Sequence, residues 1–435
     1  MTRKVVILGA GISGLAVAWY LKQKERAEVE IIVLEKSRRV GGWIQTVQSS
    51  GFLFEKGPRS CRTQGNGRIT LELVEALGLQ ADLIRVDAAA QKRYIFHNEQ
   101  LQALPASLWG LPFSILMKGW GGVFLRDLLT PAGKGGDESI YDFFCRRIGT
   151  AWTERLIDPL VAGIYAGDLR LLSIQSCFPE LYELENRYGG LIKGRFQKKR
   201  RPSSSSSFIK SIEKSSAFSF KKGMETLPRA LYQQLEADFL FESTVEKIES
   251  ASDGVKIHLK GGKTIEADEV FSTLPLSNLY YATIAVVNLG YHQPVLKQHG
   301  FGYLIPTKES KAVLGTVFDS VVFPQQNQHI KETRLTCMLG GARYPHVADW
   351  TEECCLKTAL EVLEQHLGIN VKPDHASVSF TRQAIPQFEV GHRQKMMEFK
   401  QSHVNSRFKV LGSAFSGVAV NDCIKEAKTL VRDSQ

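Results

Sequence analysis

The stretch "RKVVILGAGISGLAVAWYLKQ", residues 3 to 23, restricts the chain more than any other. A short β-branched run ends in Gly9-x-Gly11-x-x-Gly14 and passes at once into apolar residues at helical spacing, Leu15, Ala18 and Leu21. Strand, glycine turn and helix in that order open a βαβ unit. Gly9 permits the tight turn, Gly11 lets a pyrophosphate approach the backbone, and Gly14 lets the helix pack close to the strand. The helix N-terminus then offers unpaired N–H groups and its positive dipole end to the phosphates. A second strand-like run, "VEIIVLE", ends in Glu35, about 20 residues on, where a carboxylate holds ribose hydroxyls. An acid there disfavours a 2′-phosphate, so NADP drops out and NAD or FAD remains.

The next residues separate those two. "EKSRRVGGWIQT" places Gly41 and Gly42 just past the acid, and "FLFEKGPRS" gives another apolar strand turning through Gly57 and Pro58. This order resembles the GR2 family of flavoproteins, in which FAD is held along its whole length. A second glycine-rich helix start, "KVLGSAFSGVAVNDCIKEA" at residues 409 to 427, fits the same cofactor. FAD needs one helix N-terminus for its pyrophosphate and can use another where negative charge develops at the N1–C2 carbonyl edge of the reduced ring. The two ends of the chain are therefore expected to meet around one flavin. Asn421 and Asp422 stand where a first helical turn prefers short polar residues, and capping is their expected role.

With 435 residues the chain has room for two or three domains. From Phe241 to Pro275 it reads as a β-meander with turns at Asp253-Gly254 and Gly261-Gly262. In flavoproteins of this class such a segment returns to the first domain. The expected fold is α/β, with a discontinuous Rossmann-like FAD-binding domain, an α+β substrate domain and a mainly helical, membrane-associated insertion. Cofactor segments are expected at 1–92, 215–282 and 405–435, with 93–214 and 283–404 on the substrate side.

Lys and Arg total 55 against 45 acidic residues, a net +10 that favours anionic partners. Much of the excess sits in "KGRFQKKRRPSSSSS", residues 193 to 207, whose composition reads as a solvated loop. No nucleic-acid partner is expected. Seven scattered cysteines form no C-x-x-C and read as reduced thiols in a non-secreted protein, and the ten histidines show no paired metal spacing. The first strand begins by Lys4, so no cleavable leader is expected before it. Residues 100 to 117, "QLQALPASLWGLPFSILM", carry no charge, but Pro105, Gly110 and Pro112 interrupt a spanning helix. Two readings stay open: a surface set into one leaflet with Trp109 and Trp120 at the interface, or a core helix lining a large apolar pocket.

Across nearly its whole length the chain resembles the protoporphyrinogen oxidase family, in its animal form. The resemblance rests on "LGAGISGLA", "GGWIQT", "EKGPRS", "AQKRYIF", "LQALPAS", "GIYAGD", "LSIQSCFPEL", "GFGYLIP", "VFDSVVFP", "CMLGGAR", "IPQFEVGH" and "GVAVNDCI". It implies FAD-dependent oxidation of protoporphyrinogen IX to protoporphyrin IX by molecular oxygen, with hydrogen peroxide as the other product. It further implies a homodimer on the mitochondrial inner membrane, bound peripherally.

Carried over by motif, the flavin contacts fall on Gly9, Ala10, Gly11, Ile12, Ser13, Gly14, Glu35, Lys36, Trp43, Gly57, Pro58, Arg59, Ser60, Val245, Ser413, Val418, Ala419 and Val420. Arg93 matches the arginine that pairs with a substrate propionate, a role suited to a planar guanidinium. Phe301, Gly302, Leu304 and Met338 match the apolar walls around the macrocycle. No side chain is assigned as general acid or base, since the flavin carries the redox chemistry, and no metal is expected. Between "STLPLSNL" and "AVVNLGY" this chain is shorter than the family pattern by about one helix. Two other classes compete: a flavin amine oxidase, and a non-catalytic flavin-binding protein at a membrane. "SAFSG" has Phe415 where monoamine oxidases carry a flavin-linked cysteine, so the FAD is expected to be non-covalent.

Overall fold

The computed structural model describes residues 2–25, 29–104, 120–133, 135–197, 206–250, 254–310, 312–405 and 407–433. The amino-terminal apolar run forms the strand Arg3–Leu8, buried from Val5 onward. It is the centre of a parallel sheet ordered Asp238–Leu240, Val29–Leu34, Arg3–Leu8, Glu269–Ser272 and Phe408–Val410. Alternation along the first strand divides its neighbours. Val5 and Ile7 face a cluster with Leu15, Ala18 and Trp19 of helix Ile12–Glu25 and with Ile424, Ala427 and Val431 of helix Val420–Asp433. Val6 and Leu8 face Val255, Ile257 and Ile265.

Those last residues belong to the meander, built from strands Val245–Ser250, Val255–Leu259 and Thr264–Ala267 in antiparallel register. Its Gly261-Gly262 turn closes through a bond from Gly262 N to Leu259 O of 3.0 Å, whereas residues 251–253, with the turn expected at Asp253, lie outside the described residues. The chain then enters Glu269–Ser272 beside the first strand. Because all five strands of the parallel sheet run one way, the loops after Leu8, Leu34 and Val410 share one edge, where open α/β sheets bind ligands. That shared edge brings the two glycine-rich helix starts together.

A second sheet is ordered His375–Pro386, Tyr281–Tyr291, Thr333–Gly340, Val313–Val317, Gly302–Leu304, Arg93–His97 and Gln100–Ala103. Its strands pair antiparallel except Gly302–Leu304 with Arg93–His97. The segment from residue 93, expected to be mainly helical, thus opens as a hairpin, and its described helices begin at Trp120–Leu129. The uncharged stretch starts as the strand Gln100–Ala103. Residues 105–119, including Trp109, lie outside the described residues, as does the side chain of Trp120.

One face of this sheet packs Ala285, Val287, Leu335, Cys337 and Leu339 against Cys355, Ala359 and Leu363 of helix Glu352–Leu367. The alternate residues turn towards the strand Phe52–Glu55. Arg334 Nη1 donates to Leu53 O at 2.8 Å, Asn288 Nδ2 donates to Glu55 O at 3.3 Å, and a Cβ on Gly290 would come within 2.7 Å of Phe52. At the junction expected to be short, the chain crosses from Ser272 to Tyr281 by a turn, with Leu279 N donating to Leu276 O at 3.3 Å and Leu276 N to Tyr281 Oη at 2.9 Å. Both flanking sheets remain continuous.

A buried ion cluster ties the helices of the insertion together. Arg147, fully buried on Ile140–Ile148, donates from Nε to Glu185 Oε1 at 2.6 Å and from Nη1 to Asp127 O at 3.0 Å. Burial alone would raise Glu185, but hydrogen bonds from Arg146 and Arg147 outweigh it and hold the carboxyl below its ordinary value. Removing this cation leaves buried Asp127 without it and Glu185 with Arg146 alone. Arg147→Ala is expected to lower stability by about 3–5 kcal/mol in denaturant titration.

Candidate active site

The first loop is built for close approach. Gly9 holds φ at 101°, and a Cβ on Gly14 would stand 2.0 Å from Gly9 O, so neither position accepts a side chain without moving the turn. Ala10, Ile12 and Ser13 complete the turn and are buried. Ala10 N donates to Glu35 Oε2 at 2.9 Å and Ser37 N to Oε1 at 2.8 Å. These bonds aim a buried carboxylate while leaving it further lone pairs for hydroxyl donors. Gly41 N donates to Ala10 O at 2.8 Å, which lays the second glycine pair against the first. Val245 packs with the cluster of Leu8 and Leu34 beneath this edge, and Lys36 is exposed beside it.

The turn after Phe52–Glu55 answers a different demand. Gly57 is required because a Cβ there would sit 2.1 Å from Trp43 O, which packs the two segments backbone to backbone. Pro58, Arg59 and Ser60 follow, half-buried. Trp43 Nε1, packed against this turn, and Arg59 Nη2 within it find no hydrogen-bond acceptor among the described residues. Arg59 Nη1 donates to Met338 Sδ at 3.7 Å, so the turn touches the second sheet.

The carboxy-terminal loop is fastened from two sides. Gly412 N donates to Glu426 Oε2 at 2.8 Å, and burial raises that carboxyl above its usual range although Gly412 and Lys400 oppose the rise. His392 Nε2 donates to Ala414 O at 2.9 Å while its ring stacks on Phe388 at 4.3 Å. Ser413 lies between these anchors. Val418 packs on the cluster of Tyr165 and Phe388, and Ala419 O accepts from Asp422 N and Cys423 N as the helix starts at Val420. Asn421 and Asp422, expected as caps, tie the helix to a neighbouring segment instead. Asn421 accepts from Thr70 Oγ1 at 2.7 Å and donates to Arg62 O at 2.9 Å, and Asp422 accepts from Asn66 at 2.7 Å.

His392 carries a pH prediction. Burial lowers it to about 4, despite the bond to Ala414. A histidine depressed below its unfolded value of about 6.5 stabilises the fold fully above that value, and the contribution is lost as pH falls towards 4. Bound flavin is therefore expected to leave faster across that window, read as released flavin fluorescence, and His392→Gln is expected to flatten the dependence.

On the second sheet, Arg93 lies opposite Gly302 in parallel register and its guanidinium stands 5.3 Å from the Phe301 ring centroid. Phe301 and Met338 share an apolar cluster with Val317 and Val322. Leu304 lies further along the strand, against helix Asp158–Tyr165, where a Cβ on Gly163 would come within 2.7 Å of it. Arg93, Phe301, Gly302 and Met338 are thus brought together, and Arg59 joins them to the Gly57 turn. Asp319, Thr336, Glu426 and His392 were not singled out from sequence. Asp319 and His392 do stand inside the motifs "VFDSVVFP" and "IPQFEVGH".

The model of the flavin containing amine oxidoreductases matches residues 12–433. Protoporphyrinogen oxidase from Bos taurus is 35% identical, covering 98% of this chain and 97% of its own length, and the Homo sapiens enzyme matches equally. The chain belongs to the protoporphyrinogen oxidase family. Coproporphyrinogen III oxidase from Bacillus subtilis is 30% identical over 99% of this chain and 98% of its own. A solved structure of a proposed protoporphyrinogen oxidase from Exiguobacterium superposes with a TM-score of 0.82 at 23% identity, covering 99% of this chain and 98% of that one. Putrescine oxidase superposes at 0.69 with 14% identity, covering 100% and 99%, a likeness of fold.

As a member of the protoporphyrinogen oxidase family the chain is an FAD-dependent oxidoreductase. The residues fit that cofactor. A cradle that a Cβ on Gly14 would fill, a carboxylate at Glu35 aimed by two backbone donors, and unpartnered donors at Trp43 and Arg59 are what an acceptor-rich, pyrophosphate-bearing ligand requires.

Proposed function

We propose that the chain oxidises protoporphyrinogen IX to protoporphyrin IX, the penultimate step of haem synthesis, passing electrons to molecular oxygen and releasing hydrogen peroxide. The end-to-end match with the mammalian protoporphyrinogen oxidases carries this reading. Bound non-covalently, FAD would supply the acceptor for three hydrides taken from meso carbons in successive rounds, the ring losing three protons alongside them. The loop from Gly9 to Gly14 holds its pyrophosphate, Glu35 its ribose, and Lys36 and Val245 flank that end. Trp43, the turn from Gly57 to Ser60, and the loop at Ser413, Val418, Ala419 and Val420 hold the ring end. Arg93 anchors a propionate, while Phe301, Gly302, Leu304 and Met338 form walls that exclude water and keep the macrocycle flat against the flavin side.

The same reading assigns 1–92, 215–282 and 405–435 to the cofactor domain and 93–214 with 283–404 to the substrate side. It places the protein peripherally on the mitochondrial inner membrane, as a homodimer. No helix among the described residues is long and apolar enough to cross a membrane. Phe124, Leu125 and Leu129 are exposed on helix Trp120–Leu129, directly after the uncharged stretch, and this favours surface contact.

The match with Coproporphyrinogen III oxidase favours a second reading, in which the substrate carries further carboxylates. Purified, FAD-loaded protein offered protoporphyrinogen IX and coproporphyrinogen III in parallel decides between them by porphyrin fluorescence and peroxide. Preference for the first supports the proposal, preference for the second replaces it, and amine turnover without either would assign the chain to the amine oxidases.

A further inference from the structure

Arg59 is a buried cation whose surroundings are incomplete. Its side chain is 11% exposed, yet among the described residues Nη2 has no hydrogen-bond acceptor and Nε meets only a carboxylate oxygen outside hydrogen-bond geometry. Burying a charge with unmade bonds costs several kcal/mol by general rule, so such a group is held in place by its surroundings and faces a ligand that completes it. Trp43 Nε1, in the turn packed on Gly57, is in the same state.

The holding group comes from the other sheet. Asp319 Oδ1 lies 3.3 Å from Arg59 Nε, with the same 11% exposure. Thr336 donates to Asp319 Oδ2 at 2.6 Å, and two residues along that strand Met338 accepts from Arg59 Nη1. Strand Thr333–Gly340 therefore fixes Arg59 twice, directly through Met338 and indirectly through Asp319. The other charges here are accounted for. Arg334 pairs with Glu332 at 3.0 Å, and burial pushes Glu55 up to about 8, which leaves it mostly neutral at pH 7.

We propose that Asp319 is a positioning residue that holds and partly neutralises Arg59 beside the flavin ring, so that the Arg59–Asp319 pair sets the flavin reduction potential. The inference rests on the proposed placing of the ring end at the Gly57–Ser60 turn. Hydride transfer delivers two electrons and one proton to the ring, which leaves it one negative charge. A nearby cation stabilises that charge and a nearby anion opposes it, most strongly in a dry site. Asp319 thus moderates the pull of Arg59 while keeping its free N–H groups aimed.

Asp319→Asn, Asp319→Glu and Arg59→Met are prepared, loaded with excess FAD and titrated against redox dyes for the flavin potential. Asp319→Asn is expected to shift the potential in the positive direction, Arg59→Met in the negative direction, and Asp319→Glu to stay near the parent. A merely structural role would move all three the same way or not at all, and either result overturns the proposal. If the parent protein itself takes up no FAD, the cofactor reading fails first and this inference with it. A parent that is yellow with unshifted variants overturns the inference alone.

Discussion

Gly11→Val is expected to emerge folded and colourless. A Cβ at Gly11 would lie 4.0 Å from Gly42 Cα, ordinary contact, so the backbone tolerates the change. The γ carbons then fill the gap between the two glycine loops, where Gly41 N already bonds Ala10 O and, on the proposed placing of the cofactor, bare backbone would face the phosphates. Overpacking costs about 1–3 kcal/mol, and each lost charge-assisted hydrogen bond adds about 1.5–3 kcal/mol. FAD affinity should fall by roughly 100-fold or more. Flavin per chain after desalting measures it, with circular dichroism reporting the fold; a yellow Gly11→Val protein would show that the loop does not hold the pyrophosphate.

Arg93→Ala is expected to act on substrate binding alone. The side chain is exposed at the start of its strand and stacks on Phe301, so little of the fold depends on it. Loss of one charge-assisted contact to a propionate costs about 1.5–3 kcal/mol, a rise in KM of roughly 10- to 150-fold with kcat nearly unchanged. Arg93→Lys should fall between, because an ammonium is a point charge without the bidentate fork. A fall in kcat at constant KM would remove Arg93 from the carboxylate site.

Much of this fold was legible because its elements carry strong local signals. Gly9 to Gly14, Glu35 and the alternating strands of the meander each follow from turn chemistry or a two-residue period; the structure places the first two on one sheet edge and packs the meander on a face of that sheet. The adjacency of the two chain ends followed from the ligand's length, since one cofactor with two charge-bearing ends needs two helix starts. Short strands gave weaker signals. Arg93–His97 and Gln100–Ala103 run into an uncharged, proline-bearing stretch, and four or five residues do not separate a strand from a buried helix. Asp319 and Thr336 stood 17 residues apart with nothing local to link them. They meet because the chain turns back after Val317, whose register partner is Thr336. Asn421 and Asp422 show the same limit, since helix position suggested capping and tertiary partners at Thr70, Arg62 and Asn66 decided otherwise.

In the proposed reaction electrons leave a porphyrinogen for a flavin held between residues 9 to 14 and 412 to 420. Anaerobic mixing of the FAD-loaded protein with protoporphyrinogen IX, followed by air, tests that transfer in one experiment. The yellow absorbance should bleach on mixing and return with oxygen as porphyrin fluorescence appears. Flavin that dithionite bleaches but protoporphyrinogen IX leaves fully oxidised would contradict it.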